Sequence, residues 1–579
     1  MSTESLSRPG KAEGLDRRAF GWLAASKWRA RALPLVLAVV LALLTVVPLL
    51  MVVLASFRPL GLPFSLGWTL DHYIEIWSSS YTYGLVMRSL GFAAGSTVFG
   101  LALAGTLAWL LERTDLPWRN LFRAGILMPM ATPPLLLAIG WVLLMSPRIG
   151  VIPLLPKLVD IYSLGGMIFI QGLAYVPTSI LILAPVMRNM DPTFEEAALM
   201  SGAGFAQTLR RVSFPFLVPS LLSVATLLMI VGMLTFDVPA VIGLPANVNV
   251  MSSEIYNLMN PPAGLPEYGR SAALNGSLLV LLGIGLVIYY RAIRQSERFA
   301  SVSGKGYKAT RFKLGRWRPV AGGFVAVYFL LAVVLPFLAL VWASLVPYYA
   351  GFQWELLDEL SLRAYGALAG NERIWHSALN SVVVAATASV AVTVLSLVVA
   401  WAIVRSRERW VRLLDILSMI PISVPYLMMG VALIFVFFSI RVIPIYGTVW
   451  IIALGHLIIY LPLGSRMMQA AVLQLHRELE EAASVAGASL LTTFRRVVAP
   501  LVKPAIFALL IWVVVHSLRE FSVAVMLASR RNEVLSTVLF SFWDRGHPEL
   551  ASAIAVSLML VLGSLVAALT WLTRYGEEA

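Results

Sequence analysis

The chain has 579 residues, of which 59% are hydrophobic and only 13% charged, and it contains no cysteine. A soluble protein carries about 25% charged residues, so the apolar excess requires a lipid solvent, and the missing thiols exclude disulfides, thiolate metal sites and a cysteine nucleophile. The formal net charge of +14 is not gathered into a basic run interleaved with aromatics, which argues against nucleic acid and for basic residues flanking membrane crossings.

The chain opens on a basic segment, 1–32, with Arg8, Lys11, Arg17, Arg18, Lys27, Arg29 and Arg31. The first apolar run, 33–56, is long enough to cross a bilayer and lacks a small-residue cleavage site, so it reads as an uncleaved helix and not as a secretory signal. Five more runs of spanning length follow at 85–111, 121–145, 165–187, 212–236 and 272–290. A second set of six lies at 320–345, 378–404, 411–440, 448–468, 497–518 and 551–572. Pro129, Pro133, Pro421 and Pro425 fall inside two of these runs, and membrane helices tolerate proline where neighbours satisfy the freed backbone groups.

Lys and Arg at the span ends set the orientation. Arg113, Arg119 and Arg123 follow the second run, and Arg405, Arg407, Arg409 and Arg412 the eighth. A basic linker, 294–319, carries Arg294, Arg298, Lys305, Lys308, Arg311, Lys313, Arg316 and Arg318. Twelve spans with both termini inside place all four basic clusters in the cytoplasm. The expected organisation is a cytoplasmic segment 1–32, a first six-span half 33–293, the linker 294–319, and a second six-span half 320–579.

The halves repeat. Tyr175 and Pro177 recur as Tyr460 and Pro462 at an offset of 285, and Phe236 as Phe521 at the same offset. Trp109, Pro129 and Pro133 recur as Trp401, Pro421 and Pro425 at an offset of 292. The same order and orientation of spans in both halves make this a parallel duplication.

The strongest repeat follows the fourth and tenth runs. EEAALMSGAGFAQTLRRVSFPFLVPS begins at Glu195 and EEAASVAGASLLTTFRRVVAPLVKPA at Glu480, and 12 of the 26 positions are identical. Each copy predicts a short helix with acids near its start, Glu195 and Glu196 or Glu480 and Glu481, where the helix dipole is positive. Asp191-Pro192 reads as a cap before the first copy. Ala197-Ala198 and Ala482-Ala483 are small helix formers that allow a partner to approach closely. Gly202 and Gly487 predict a left-handed helix stop, and Arg210-Arg211 and Arg495-Arg496 sit on the next helical segment at the membrane interface. An isolated interfacial helix would explain one copy; two near-identical copies at one place in a repeat point to a symmetric partner surface.

These segments resemble the EAA motif of binding-protein-dependent ABC importer permeases. The pattern Glu-Ala-Ala, three residues, Gly, nine residues, then an apolar-x-apolar-Pro ending is met by Glu196-Ala197-Ala198, Gly202 and Val212 to Pro215. Glu481-Ala482-Ala483, Gly487 and Val497 to Pro500 repeat it, with Ala499 as a mild departure. The resemblance implies an all-α polytopic membrane protein of about twelve transmembrane helices, two parallel six-helix repeats of the type I importer fold, in a bacterial inner membrane. It implies two ATPase subunits docked on Glu195, Glu196, Ala197, Ala198, Gly202, Arg210 and Arg211 and on Glu480, Glu481, Ala482, Ala483, Gly487, Arg495 and Arg496. It also implies a substrate-binding protein at the outer face. The chain has no phosphate-cradling G-x-x-x-x-G-K-[ST] loop, so ATP hydrolysis is expected on separate subunits, with no catalytic residue and no cofactor here.

The fused layout is most similar to the ferric iron(III) group, with thiamine, aminophosphonate and polyamine permeases as alternatives and an ion-coupled secondary transporter as the reading from another class. The similar stretches begin at Trp109, Phe236 and Arg519. The six histidines are scattered without a ligand cluster, so no metal site is expected. Asp237 and Glu520 are candidates for the substrate pathway because ionisable residues at membrane depth are functional by default. His456 and His516 lie inside runs and read as hydrogen-bonded between helices. The segments 57–84, 237–270, 347–374 and 522–549 read as outer loops for docking the binding protein.

Overall fold

The structure is a computed structural model that describes residues 13–147, 150–151, 160–188, 190, 193–296, 312–349, 352–406, 410–439 and 444–578. Arg8, Lys11, the Asp191-Pro192 cap, the linker cations between 297 and 311, Arg407 and Arg409 lie outside the described residues. Among the described residues every regular element is helical, and the one bridge between extended residues joins Thr114 to Phe312.

Among the described residues eight helices are long and apolar enough to cross a bilayer, and up to eleven if each bent pair is one span. In the first half these are Leu33–Ser56, Ser80–Arg113, Leu164–Arg188 and Leu209–Leu234. In the second they are Gly315–Leu345, Glu372–Arg405, Val449–Leu473 and Pro548–Leu565. The 29-residue helix Tyr268–Ser296 stands where the sequence places the sixth span. The first span belongs to a longer helix that begins at Glu13.

The runs 121–145 and 411–440 are not continuous helices. Each breaks at its prolines, giving Arg119–Met130 followed by Pro134–Met145 and Trp410–Ser423 followed by Tyr426–Ser439. The first pair bends by 96°. Its cause is local. Pro133 stands before Pro134 and takes ψ 138°, because a residue preceding proline is pushed out of the helical region. A 3₁₀ turn, Met128–Ala131, fills the break. A third bend of 76° separates Leu490–Leu501 from Lys503–Arg519.

The segments 237–270 and 522–549, expected as outer loops, instead hold short helical pieces in the interior. Pro239–Gly243 is a buried π turn. Val523, Ala524, Leu527, Val538, Leu539 and Phe540 are buried as well. Their apolar composition explains the difference, since such side chains gain about 25 cal/mol per Å² on burial.

Contacts divide the chain into two compact units. The smaller comprises Met1–Pro48, Ser389–Ile422 and Leu457–Leu510. Its core gathers Leu37, Leu41, Val399, Leu414, Leu417 and Leu461. Gly464 lets two of its helices meet closely, because a Cβ there would lie 2.5 Å from Ser396 Oγ. The larger unit comprises Leu49–Ala388, Ser423–His456 and Ile511–Ala579. There the second and fourth spans touch at Gly100, where a Cβ would lie 2.8 Å from the Gly172 carbonyl oxygen. Small residues at both crossings bring backbones together, as membrane packing favours when no hydrophobic force acts between helices in lipid.

Candidate functional site

The two copies of the repeated motif fold alike. Each begins with a short helix, Thr193–Met200 or Arg477–Val485. Each helix stops at its glycine in the left-handed region, Gly202 at φ 82° and Gly487 at φ 80°. The residue after each glycine closes the stop, with Ala203 N–H donating to the Ala198 carbonyl and Ala488 N–H to the Ala483 carbonyl, both at 3.0 Å. This geometry ties off carbonyls that the helix end leaves bare. A Cβ built on either glycine meets no atom within 4 Å, so the requirement for glycine is the backbone angle and not space. A one-turn helix and a π turn follow, Phe205–Thr208 with Leu209–Ser213 and Leu490–Thr493 with Phe494–Val498. The π turns carry Arg210-Arg211 and Arg495-Arg496, all four exposed.

The adjacent glutamates divide their tasks. Glu196 and Glu481 are exposed, while Glu195 is buried and Glu480 half-buried. Glu195 forms an ion pair with Arg113, the last residue of the second span, at side-chain exposures of 4% and 1%. Its other oxygen accepts from Ser213 Oγ at 2.6 Å, and Arg113 Nη1 donates to the Met190 carbonyl at 3.2 Å. The second copy repeats the arrangement. Arg405, the last residue of the eighth span, donates from Nε to Glu480 at 2.7 Å and from Nη2 to the Leu475 carbonyl at 2.9 Å. Trp401 Nε1 also donates to Glu480, at 3.1 Å. The sequence signal for both arginines was present, because Arg113 and Arg405 share the 292 offset of Trp109 and Trp401. Read as interfacial charge alone, they disclose no partner.

The outward face is apolar at matched positions. Met200 is 90% exposed and Val485, its counterpart at the 285 offset, 91%. Phe194 and Leu479, also counterparts, are 53% and 47% exposed. With exposed Glu196, Ala197, Glu481 and Ala482, each helix presents two apolar knobs around an acid. A cleft of about 290 Å³ beside the first helix is lined by Ala198, Ser201, Gly202, Gln207 and Arg211. Sequence reasoning missed the knobs because Met and Val in a membrane chain look like lipid contacts.

Next to the first copy, the end of the linker is strapped to the second span. Phe312 N–H donates to the Arg113 carbonyl at 2.9 Å and Asp115 N–H to the Phe312 carbonyl at 3.1 Å. Arg318 and the Leu314 N–H bond the Asp115 carboxylate and hold it below the usual carboxyl range.

The candidates in the interior behave differently from one another. Glu520 caps the helix Ser522–Leu527, accepting from Val523 N–H at 2.8 Å and Ala524 N–H at 3.2 Å. It also bonds His456 Nε2 at 3.1 Å, and His456 Nδ1 bonds Ser517 Oγ at 2.6 Å. His456 thus bridges two helices, whereas His516 bonds the Trp512 carbonyl of its own helix and stacks on the Trp512 ring. Asp237 is half-buried just beyond the fifth span, within electrostatic reach of Glu520 and Arg519. Arg519 Nη1 donates to the Met130 carbonyl, in the break of the third span. Phe236 and Phe521, equivalent by the 285 offset, stack with centroids 5.8 Å apart and planes 8° from parallel. Among the described residues no three His, Asp or Glu gather as metal ligands.

Comparison with known proteins agrees with the duplication. The family model described as "Binding-protein-dependent transport system inner membrane component" matches twice, at residues 96–299 and 392–575. A ferric transport system permease protein of Actinobacillus pleuropneumoniae is 27% identical over 527 residues, covering 87% of this chain and 73% of its own. A spermidine/putrescine transport system permease protein of Escherichia coli is 26% identical over 270 residues, covering 44% of this chain and 94% of its own. Among solved structures, a bacterial ABC transporter involved in the import of the acidic polysaccharide alginate has a chain that matches 45% of this one and 97% of its own, at 15% identity and TM-score 0.37. The chain belongs to the binding-protein-dependent transport system inner membrane components, as a multi-pass ABC importer permease in which two copies of the family's domain are fused.

Proposed function

We propose that this single chain forms the complete translocation pathway of an iron(III) importer, with one ATPase subunit seated on each of its two short helices. The observation that carries the ATPase docking is the matched outward face: Met200 and Val485 are almost fully exposed beside Glu196 and Glu481. Large apolar side chains held off the molecular body in duplicate fit a partner groove better than solvent. Gly202, Gly487, Arg210, Arg211, Arg495 and Arg496 complete the two surfaces. Hydrolysis belongs to the partners, and their ATP-driven closure biases a two-state change in the spans. The charge distribution supports both termini and both docking helices in the cytoplasm, with a binding protein delivering substrate at the opposite face.

Iron(III) is favoured over polyamines because the ferric relative matches across both halves, whereas the spermidine/putrescine relative matches 44% of the chain. Asp237 lines the pathway in this reading, and Glu520 shapes it by fixing the helix after the eleventh span. Purification of the chain with its native partners tests the reading. A co-purifying binding protein that holds iron(III), detected by elemental analysis, is the expected result. A binding protein loaded with spermidine would replace iron by a polyamine. Uptake driven by a proton or sodium gradient with no ATPase subunit would overturn the importer assignment.

A further inference from the structure

The acid that precedes each Glu-Ala-Ala does not face outward. Glu195 and Glu480 turn into the chain, each to an arginine that ends a span two crossings earlier in sequence. In both copies the same arginine also reaches the carbonyl just past the end of the fourth span of its half, Met190 or Leu475. These carbonyls are themselves equivalent by the 285 offset. One guanidinium therefore holds three pieces of chain: the end of the second span, the end of the fourth, and the short helix. Its planar fork suits this task, since it bonds in fixed directions where a lysine ammonium would act as a point charge.

We infer that Arg113 and Arg405 are positioning residues that make each short helix, the end of the second span of its half and the end of the fourth move as one body. The inference rests on the docking reading given above. Other bonds make single ties: Trp401 Nε1 to Glu480 and Arg477 Nη2 to the Val404 carbonyl in the second copy, and Ser213 Oγ to Glu195 in the first. The arginine instead ties the short helix to both span ends at once, so that a push from a partner is not absorbed in the connectors. The chain gives the device twice. Nothing in helix formation itself demands it, because a glutamate in the first turn is already favoured by the dipole when left in solvent. The copies differ in enclosure. The first pair is sealed, at 1% and 4% exposure, beside the linker strap at Phe312, whereas the second pair is exposed at 14% and 15%.

The absence of native cysteine allows a direct test by double spin labelling. Labels at Ser484→Cys on the second short helix and Val394→Cys on the eighth span, both exposed positions, report the distance across the second clamp. The complex with its ATPase subunits in lipid nanodiscs is measured without nucleotide and after trapping with ADP and vanadate. The expected result is one narrow distance distribution, the same in both states. Arg405→Gln is expected to widen it at least twofold and make it depend on nucleotide, with the ATPase subunits still bound. Arg405→Lys, which keeps the charge and loses the planar fork that bonds Glu480 and the Leu475 carbonyl together, is expected to give a width between those of the native chain and Arg405→Gln. A purely structural pair would lower the melting temperature and leave the distribution independent of nucleotide. A native distance that changes on trapping, or an Arg405→Gln distribution like the native one, overturns the inference. Should Arg405→Gln fail to insert, Glu480→Gln is the second variant, with the same expected and contrary results. If the native chain carries no ATPase subunit, the docking reading fails, and the native and Arg405→Gln widths in the free chain still decide the clamp.

Discussion

Substituting Gly202 or Gly487 isolates the backbone from every other feature of the short helices. Both residues lie at φ near 80°, and no atom stands within 4 Å of an added Cβ. Alanine therefore brings no clash, only the left-handed strain of roughly 1–2 kcal/mol per residue. The strain falls on the helix stop and so on the fraction of molecules holding the docking geometry. Because about 1.4 kcal/mol is tenfold in an equilibrium constant, Gly202→Ala or Gly487→Ala should weaken ATPase-subunit binding roughly 5- to 30-fold at its own site. Asparagine tolerates the left-handed region far better than alanine. Gly487→Asn should consequently retain more binding than Gly487→Ala although its side chain is larger. Titration of the purified ATPase subunit onto the chain in nanodiscs reads the effect, with the melting temperature as a control for the fold. Refutation comes from the reverse order, asparagine weaker than alanine, which would make surface bulk the determinant, or from alanine binding as the native chain does.

The remaining predictions follow from the same geometry. Arg113→Ala leaves Glu195 buried without its charge partner and should cost about 3–5 kcal/mol in stability. Arg405→Ala, at the more open pair, should cost about 1.5–3 kcal/mol, the worth of hydrogen bonds to a charged group; thermal unfolding in detergent ranks the two. Met200→Ala and Val485→Ala should leave the melting temperature unchanged, since both side chains are about 90% exposed. Each should weaken ATPase binding by roughly 1.5–3 kcal/mol if the knob is buried in a partner, measured by the same titration. Glu520→Gln keeps one oxygen, which can still accept from the Val523 N–H, and puts an amide NH2 where the second oxygen met Ala524 N–H and His456. It should therefore destabilise the fold less than Glu520→Leu, which strips every acceptor from the cap and from His456. Unfolding of the two variants side by side distinguishes these outcomes.

Much of the architecture was legible because membrane solvent imposes simple rules. Run length disclosed the spans, and the paired Glu, Gly, Arg and Pro at fixed offsets disclosed the duplication and the two short helices. The break at Pro129 to Pro133 was not legible, because a hydropathy window counts apolar residues and is blind to the extended ψ that Pro134 forces on Pro133. The interior placement of 239–243 and 522–527 escaped for a related reason. Short apolar pieces between spans read as loop when only length is used, yet burial is their cheapest state. At the site itself, adjacency misled. Glu195 and Glu196 are neighbours in sequence, but consecutive helix residues point about 100° apart, so one turns to Arg113 and the other to solvent.

The central claim is that one chain supplies both seats for the ATPase. Native mass spectrometry of the complex extracted in mild detergent tests it most directly. The account predicts two ATPase subunits for each copy of this chain, falling to one when either Met200→Glu or Val485→Glu is introduced. A native complex with one ATPase subunit per chain, or with none under conditions where the chain still transports, would contradict it.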